Sequence, residues 1–146
     1  MKLSSRGEYA LRALIVLGRQ NEGVLPVAEV AERTLVPVYY LEQILLQLKM
    51  LGYVKSKRGV HGGYSLRKPA EEIVVGEVIR QLEGPLAPMG CVSVTAYESC
   101  PLEGDCLLKP LWALVRDTVA RLLDHTTLDD LLMGRVQPVS ENSGDK

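Results

Sequence analysis

The sequence predicts a mainly α-helical fold with a small two-stranded β-wing and a long C-terminal helix. Three observations support this fold class. Apolar residues recur at helical spacing through the first third of the chain, two basic alternating runs follow, and a strongly apolar helical stretch lies near the C-terminus. The chain has 146 residues, 47% of them hydrophobic, which suits one globular domain with an appended helical arm.

The first two helices are predicted from apolar spacing and from their end signals. From Ser5 to about Gln20, apolar residues supply one helical face behind a serine cap, and "NEG" ends the run. The segment "VAEVAERT" then places its valines and Ala31 on one side and its charged residues on the other. This pattern predicts a short amphipathic second helix.

A third helix is predicted through "VYYLEQILLQLKML", from a first turn marked by Pro37 to a stop at Gly52. Five apolar residues form its core stripe: Leu41, Ile44, Leu45, Leu48 and Leu51. That stripe leaves an outward face that carries Tyr39, Glu42, Gln43 and Gln47. We expect this face to be available for recognition.

Two short alternating runs, "YVKSKR" and "YSLRK", follow the third helix and are joined by "GVHGG". Because glycines adopt the positive φ values that hairpin turns need, the runs predict a two-stranded ribbon. Five basic residues lie on or beside this ribbon: Lys55, Lys57, Arg58, Arg67 and Lys68. The ribbon is therefore predicted to be strongly basic.

The C-terminal half is predicted to be helical. One helix runs through "VGEVIRQLE" and is closed by Gly84, and a long helix extends from Leu107 to Asp124. Spacings of four and three along the long helix define a seam formed by Leu108, Trp112, Val115, Val119 and Leu122. Further leucines make this helix too apolar for one contact, so we expect it to pack on its own domain and on a partner chain, as a homodimer. A last short helix is predicted in "TTLDDLL", capped by Thr126 or Thr127.

Helix, turn, helix and basic ribbon, in this order, predict a winged helix-turn-helix. In that arrangement the third helix enters a DNA major groove and the ribbon lies on the backbone or in the minor groove. Residues 1–84 would form this DNA-binding domain, residues 85–106 a cysteine-bearing sensor loop, and residues 107–133 the dimerisation helices. The polar tail, residues 134–146, has too little apolar content to pack and is expected to be disordered.

Several side chains are candidates for contact with double-stranded DNA. Glu42 can accept a hydrogen bond from a cytosine amino group, and Gln43 can pair with adenine. Tyr39 or Tyr40 can contact a phosphate or a thymine methyl group. His61, in the ribbon turn, can enter a minor groove, although simple exposure is the commoner role of a loop histidine. The remaining candidates are Gln47 on the third helix and Lys55, Lys57 and Arg58 on the ribbon. Basic groups of this kind contact phosphates and make the affinity fall with salt.

Charge and hydropathy narrow the classes of partner. Up to Lys68 the chain has eleven Lys and Arg against five Asp and Glu, and the remainder has six against thirteen. This division indicates that the N-terminal part faces a polyanion. No apolar run reaches the roughly 18 residues of a membrane helix, and the N-terminus lacks a small-residue cleavage site. We therefore expect a cytoplasmic protein without a membrane partner.

All three cysteines, Cys91, Cys100 and Cys106, lie in the stretch "CVSVTAYESCPLEGDC". An odd number of thiols in a reducing compartment argues against a disulfide framework and for metal or redox chemistry. Three interpretations stay open: an iron–sulfur cluster, free thiols that are a redox switch or inert, and zinc, whose common C-x2-C pairs are absent. A thiol enzyme is not expected, since no C-x-x-C pair and no neighbouring histidine accompanies them.

Four stretches, "MKLSSRGEYALRAL", "YLEQILLQL", "RGVHGGYSL" and "VGEVI", resemble the Rrf-two family of bacterial winged-helix transcriptional regulators. The resemblance covers about residues 1–133, and the recognition-helix and wing motifs in this order are its most specific part. It implies a homodimer, joined through the long C-terminal helix, that binds a pseudo-palindromic operator and usually represses.

This family contains two kinds of regulator. Cluster-bearing sensors hold a 2Fe–2S or 4Fe–4S cluster through three loop cysteines, which would be Cys91, Cys100 and Cys106 here. They also imply Glu8 of the partner subunit as an oxygen ligand, and oxygen or nitric oxide as the signal. However, eight residues rather than five separate the first two cysteines, and Lys109 replaces a histidine of one relative class, so cluster type and fourth ligand stay open. Cluster-free relatives respond instead to a partner protein or to thiol oxidation.

Overall fold

The computed structural model describes residues 3–139, and residues 140–146 of the predicted disordered tail lie outside them. The helices are α1 (Ser5–Gly18), α2 (Val27–Thr34), α3 (Val38–Met50), α4 (Val75–Glu83), α5 (Lys109–Asp124) and α6 (Leu128–Leu132), and the strands are β1 (Val54–Lys57) and β2 (Gly63–Leu66). The predicted helices and ribbon are confirmed, with ends shifted by one or two residues. Within the described part of the chain, no helix is long and apolar enough to cross a membrane.

The start of α1 is fixed by a serine cap and by a contact with the end of α4. The Ser4 side chain accepts a hydrogen bond from the Gly7 N–H at 3.3 Å. The backbone N–H of Ser4 donates to Glu83 Oε1 at 2.7 Å, and the Ser4 hydroxyl donates to the same oxygen. A Cβ at position 7 would lie 2.3 Å from Glu83 Oε1, so glycine at this position allows the Glu83 carboxylate to approach the helix start closely. We refer to this as the Ser4–Glu83 contact.

Helices α2 and α3 form the helix-turn-helix, and their turn is held from several sides. The turn residue Leu35 adopts the left-handed conformation, with φ of 59°. The buried Thr34 hydroxyl donates to the Val30 carbonyl at 2.7 Å, and Arg12 of α1 donates to the Thr34 carbonyl at 3.2 Å. Pro37 is the N-cap of α3, one position before the first turn in which it was predicted. The bond from Arg12 therefore holds the end of α2 against α1.

The wing consists of β1 and β2, which pair antiparallel with Val54 opposite Leu66. Gly59 in the connecting turn has φ of 110°, as the predicted glycine turn requires. The sequence did not predict a further pairing between Leu25, which precedes α2, and Tyr64 of β2. Their two backbone hydrogen bonds measure 2.9 and 2.8 Å. The wing is therefore attached directly to the helix-turn-helix.

One hydrophobic core joins α1, α2, α3, α4 and α6. Its most completely buried large side chains include Leu14, Leu17, Leu41, Leu45, Leu48, Tyr53, Val78 and Leu128. Thr127, rather than Thr126, caps α6 through a capping box with Asp130. The Leu128 N–H donates to the Ile73 carbonyl at 2.8 Å. The last helix thus packs on the same core as α1, although it was predicted to belong with the dimerisation helices.

Helix α5 lies at the surface, and none of its own residues is buried. Trp112, Val115 and Val119 of the predicted seam are half-buried. A second set of apolar side chains, the α5 leucines, is open to solvent: Leu107, Leu111 and Leu114 are 93%, 52% and 63% exposed. Arg80 of α4 fastens α5 to the core through two hydrogen bonds to Asp124, of 2.5 and 2.8 Å. Leu108 and Leu122 of the predicted seam are also open, at 57% and 37% exposed, so the open apolar surface is shared between the α5 leucines and the two ends of the seam.

Candidate nucleic-acid interface and cysteine loop

Helix α3 presents a polar face to solvent because its apolar stripe is buried in the core. Tyr39 is 69% exposed, Glu42 and Gln43 are exposed, and Gln47 is half-buried. Tyr40 is half-buried and its ring meets Tyr9 of α1 edge-on, with 5.6 Å between ring centroids. Four predicted side chains thus share the outward face, while Tyr40 anchors α3 to α1.

Apolar side chains that the sequence pattern did not predict as contacts also lie exposed around this face. Leu35 in the turn is 84% exposed, and Val38, Leu46 and Met50 are 44%, 54% and 81% exposed. Such side chains can contact thymine methyl groups in a major groove. A polar and apolar surface of this kind can therefore distinguish base pairs by hydrogen bonds and by shape.

The basic residues of the wing lie beside α3. Lys55, Lys57, Arg58 and His61 are all exposed, as DNA contact requires. Lys49 of α3, which was not among the predicted DNA contacts, donates from Nζ to Ser56 Oγ of β1 at 2.7 Å. This bond joins the helix to the wing, so the two elements present one continuous surface.

Three of these cations converge on a single groove. Lys49, Lys57 and Arg58 line a cavity of about 490 Å³ together with Pro26 and Tyr64. Phosphate groups are the usual partners of such clusters in proteins that bind DNA. By contrast, Lys68 Nζ lies 5.1 Å from the centroid of the Tyr53 ring, so part of its charge faces that ring. Burial, followed by the charge of Glu77, raises the pKa of Tyr53.

The three cysteines occupy different environments. All are free thiols: Cys91 is buried in a 3-10 turn, Cys100 is exposed, and Cys106 is half-buried. Their soft donor atoms suit an iron–sulfur cluster. However, residues 3–139 contain no group of three or more His, Cys, Asp or Glu arranged to hold a metal ion. The arrangement described here therefore does not fit the cluster, and its binding would require the loop to rearrange.

A carboxylate organises the middle of the cysteine loop. The Tyr97 hydroxyl donates to both oxygens of Glu103 at 2.6 Å, and Lys109 Nζ donates to Oε2 at 2.8 Å. We call these three residues the Glu103 cluster. The bond from Lys109, followed by that from Tyr97, lowers the pKa of Glu103, while the same carboxylate raises the pKa values of Lys109 and Tyr97. At neutral pH the cluster is therefore an ion pair with a neutral phenol as a further donor.

Glu8, predicted to bind a cluster in the partner subunit, is engaged within its own helix. Its Oε1 accepts a hydrogen bond from Arg12 Nη2 at 2.7 Å. The Arg12 guanidinium also lies 5.4 Å from the centroid of the Tyr9 ring. Because the Glu8 side chain is 49% exposed, it remains accessible to another chain. Its role as a ligand stays a prediction.

Comparison with known proteins identifies relatives over nearly the whole chain. The Rrf2 (Rrf-two) family model, described as "Iron-dependent Transcriptional regulator", matches residues 3–134. CymR of Bacillus subtilis is 36% identical over 132 residues, which cover 90% of this chain and 89% of that protein. IscR of Pectobacterium atrosepticum is 38% identical over 133 residues, covering 90% of this chain and 79% of that protein. Both are named HTH-type transcriptional regulators.

Solved structures of similar proteins share the fold. The structure of CymR, "the Global Cysteine Regulator of B. subtilis", has a TM-score of 0.73 at 35% identity and covers 92% of this chain and 98% of its own. T. potens IscR has a TM-score of 0.74 at 32% identity, covering 92% and 88%. Because the relatives are regulators, the expectation that the chain is not an enzyme is confirmed. The exposed face of α3, the basic wing and these matches together place the chain in the Rrf2 family of transcriptional regulators.

Proposed function

We propose that the chain is a cytoplasmic homodimer that binds a pseudo-palindromic operator and represses transcription. The observation that carries this proposal is the exposed polar face of α3 beside a basic wing, joined by the bond between Lys49 and Ser56. A rigid pair of this kind suits a helix in the major groove with a wing along the backbone. Two such heads, related by a twofold axis, would read two half-sites of one operator.

The contacts divide into those that read bases and those that hold the backbone. Glu42 and Gln43 are exposed near the start of α3, where recognition helices contact base edges. Lys57 and Arg58, with Lys49, supply positive charge to the groove beside them. Phosphate contacts fix the orientation of the protein, whereas base contacts set the sequence preference. We therefore assign specificity to α3 and most of the salt-dependent affinity to the groove and wing.

The dimer contact is proposed at α5. The α5 leucines are exposed in the single chain and lie at or beside the start of this helix. Contiguous apolar side chains on a surface helix are characteristic of subunit interfaces. Covering them by a second copy, through a twofold axis, also sets the separation between the two DNA-binding heads.

We propose that the cysteine loop makes this regulator responsive. Cys91, Cys100 and Cys106 would hold a 2Fe–2S or 4Fe–4S cluster, with Glu8 of the partner subunit as the candidate oxygen ligand. Such a cluster supplies one-electron redox chemistry and reactivity with oxygen or nitric oxide. A cluster-free alternative is supported by the three free thiols, which form no metal-holding group within residues 3–139: the loop would then respond to thiol oxidation or to a partner protein.

Two measurements test the proposal. Genome-wide footprinting with the full chain should recover a pseudo-palindromic site, and anisotropy titrations on that site should show affinity that falls steeply with salt. Failure to prefer any sequence over random DNA would refute the operator. Absorption spectroscopy with iron and sulfide analysis, on protein purified without oxygen, separates the two loop chemistries: colourless, iron-free protein that still responds normally in cells would exclude the cluster.

A further inference from the structure

A row of apolar side chains runs along the outward face of α3. Tyr39, Leu46 and Met50 are exposed, and their spacings of seven and four residues place them on one side of the helix. The exposed Gln43 lies between Tyr39 and Leu46 on the same side. At the rise of an α-helix, the row extends over about 16 Å. We call Tyr39, Leu46 and Met50 the outer apolar row.

The outer apolar row contributes little to the fold. Within residues 3–139, the side chains that form the hydrophobic core or pack against it do not include Tyr39, Leu46 or Met50. The Tyr39 ring meets the Tyr40 ring edge-on, with 6.3 Å between the centroids, which holds it at the start of α3. Apolar side chains that lie together on a surface are characteristic of contact with another molecule. The row is therefore a candidate contact surface rather than part of the core.

A strained residue lies in the turn just before the same helix. Leu35 has φ of 59° and is, within residues 3–139, the one residue other than glycine with positive φ. This conformation costs free energy for a leucine, and a side chain that is 84% exposed makes little contact with the protein to offset the cost. Backbone strain of this kind is concentrated at functional sites. The turn therefore indicates a second apolar contact with another molecule.

The charges around the row favour DNA as its partner. Lys49 of α3 is bonded to Ser56 of the wing, and with Lys57 and Arg58 it lines the groove beside the helix. Positive charge next to an apolar surface suits a polyanion that also carries apolar groups. In the major groove of DNA, that apolar group is the C5 methyl of thymine.

We infer that Leu35 and the outer apolar row contact thymine methyl groups in the major groove, so that each operator half-site is recognised partly by its A·T pairs. This inference rests on the proposed function and names the feature of the operator that α3 recognises. Gln43, which lies within the row, can pair with adenine, and its apolar neighbours can contact the thymine methyls of adjacent base pairs. The central residue of the row, Leu46, is the main specificity-determining side chain in this arrangement.

Replacement of thymidine by deoxyuridine tests the inference, because deoxyuridine forms the same base pair but lacks the C5 methyl group. The full-length protein first selects its preferred duplex from random DNA, and each thymine of that duplex is then replaced in turn and measured by anisotropy titration. Loss of one buried methyl contact should raise the dissociation constant about fourfold, and loss in both half-sites about 15-fold. A preferred duplex whose affinity is unchanged by every replacement would overturn the inference and leave the operator proposal standing. Selection of no preferred duplex would overturn both.

Leu46→Ala identifies the side chain that makes the contact. At the base that Leu46 covers, the variant should bind the thymine and deoxyuridine duplexes alike, because the methyl group has lost its partner. Leu102→Ala is the matched control, since Leu102 is a leucine, 74% exposed, that lies in the cysteine loop. The control should keep the wild-type preference for thymine. If Leu46→Ala also keeps that preference, or if it changes the oligomeric state without DNA, the row contacts something other than thymine and the inference is overturned.

Leu35→Asn separates the strain from the contact. Asparagine adopts the left-handed conformation more readily than leucine, so the free energy of unfolding in urea should equal or exceed that of the wild type. Affinity for the preferred duplex should nevertheless fall about fourfold or more, because the apolar contact is lost. Wild-type affinity in this variant would show that Leu35 does not contact DNA and would overturn its part in the inference.

Discussion

The proposed dimer contact is tested most sharply by Leu114→Ala. Leu114 projects from α5 and is 63% exposed in the single chain. The substitution removes an apolar side chain from the surface without disturbing the core, since none of the residues of α5 is buried. We therefore expect a folded protein whose subunits associate more weakly.

The magnitude follows from the exposed fraction. Full burial of a leucine side chain stabilises by about 1.5–3 kcal/mol, so covering the exposed fraction of Leu114 contributes about 1–2 kcal/mol for each copy. A twofold interface contains the residue twice, which gives about 2–4 kcal/mol for each dimer. Loss of most of this contribution should raise the dimer dissociation constant roughly 30-fold to several-hundred-fold.

Sedimentation equilibrium over a range of protein concentrations measures this constant. Leu46→Ala is the matched control, because Leu46 is a leucine of similar exposure, 54%, that lies on α3 instead of α5. The control should dimerise like the wild type. A dissociation constant that is unchanged in Leu114→Ala, or that rises equally in both variants, would refute the assignment of the interface to the α5 leucines.

Further predictions concern DNA binding and stability. Arg58→Ala should weaken binding to all sequences and reduce the slope of log affinity against log salt by about 1.8 for the dimer, about 0.9 for each subunit, whereas Glu42→Ala should relax base preference with little change of slope; anisotropy titrations giving equal effects would contradict the assigned roles. Gly63→Ala should lower the free energy of unfolding, measured in urea, by about 1–3 kcal/mol, because the new Cβ would lie 2.2 Å from a backbone carbonyl oxygen. Gly104→Ala should leave it unchanged, because a Cβ at position 104 would meet open space. Equal losses of stability in the two variants would refute this account. A backbone hydrogen bond at the start of α6 lowers the pKa of Asp130 from its ordinary 3.8. The ionised Asp130 side chain stabilises the fold above that pH, and this contribution is lost below it. On acidification from about pH 5 towards pH 2, the melting temperature should therefore fall more steeply in the wild type than in Asp130→Asn. Parallel curves would argue against the contribution.

The helices and the wing were predictable because each has a local signal. The apolar spacing of α3 and the glycines of the wing turn are properties of neighbouring residues, which periodicity detects. The pairing of Leu25 with Tyr64 was missed because it joins backbone groups that lie 39 positions apart in the chain. The seam of α5 stays a prediction, since periodicity finds apolar stripes but does not tell which stripe faces the protein's own core and which a partner.

The exposed face of α3 could be predicted from the sequence, whereas the arrangement of the cysteine loop could not. The exposure of candidate recognition residues such as Glu42 and Gln43 follows from the helix, because a buried stripe defines the opposite exposed face. The Glu103 cluster follows no helix or strand period: Tyr97, Glu103 and Lys109 meet only through the folding of an irregular loop. For the same reason, three cysteines in one stretch of sequence did not imply a group arranged to hold a metal ion, and residues 3–139 contain none.

The Ser4–Glu83 contact limits how freely the parts of this regulator can be exchanged. Glu83 is the last residue of α4, and the chain continues from it through Gly84 into the cysteine loop. The Ser4–Glu83 contact therefore links the start of the cysteine loop to the first turn of α1. Chimeras that transplant a foreign cysteine loop should keep both Ser4 and Glu83, because a graft that replaces position 83 alone would remove this contact between the start of α1 and the end of α4.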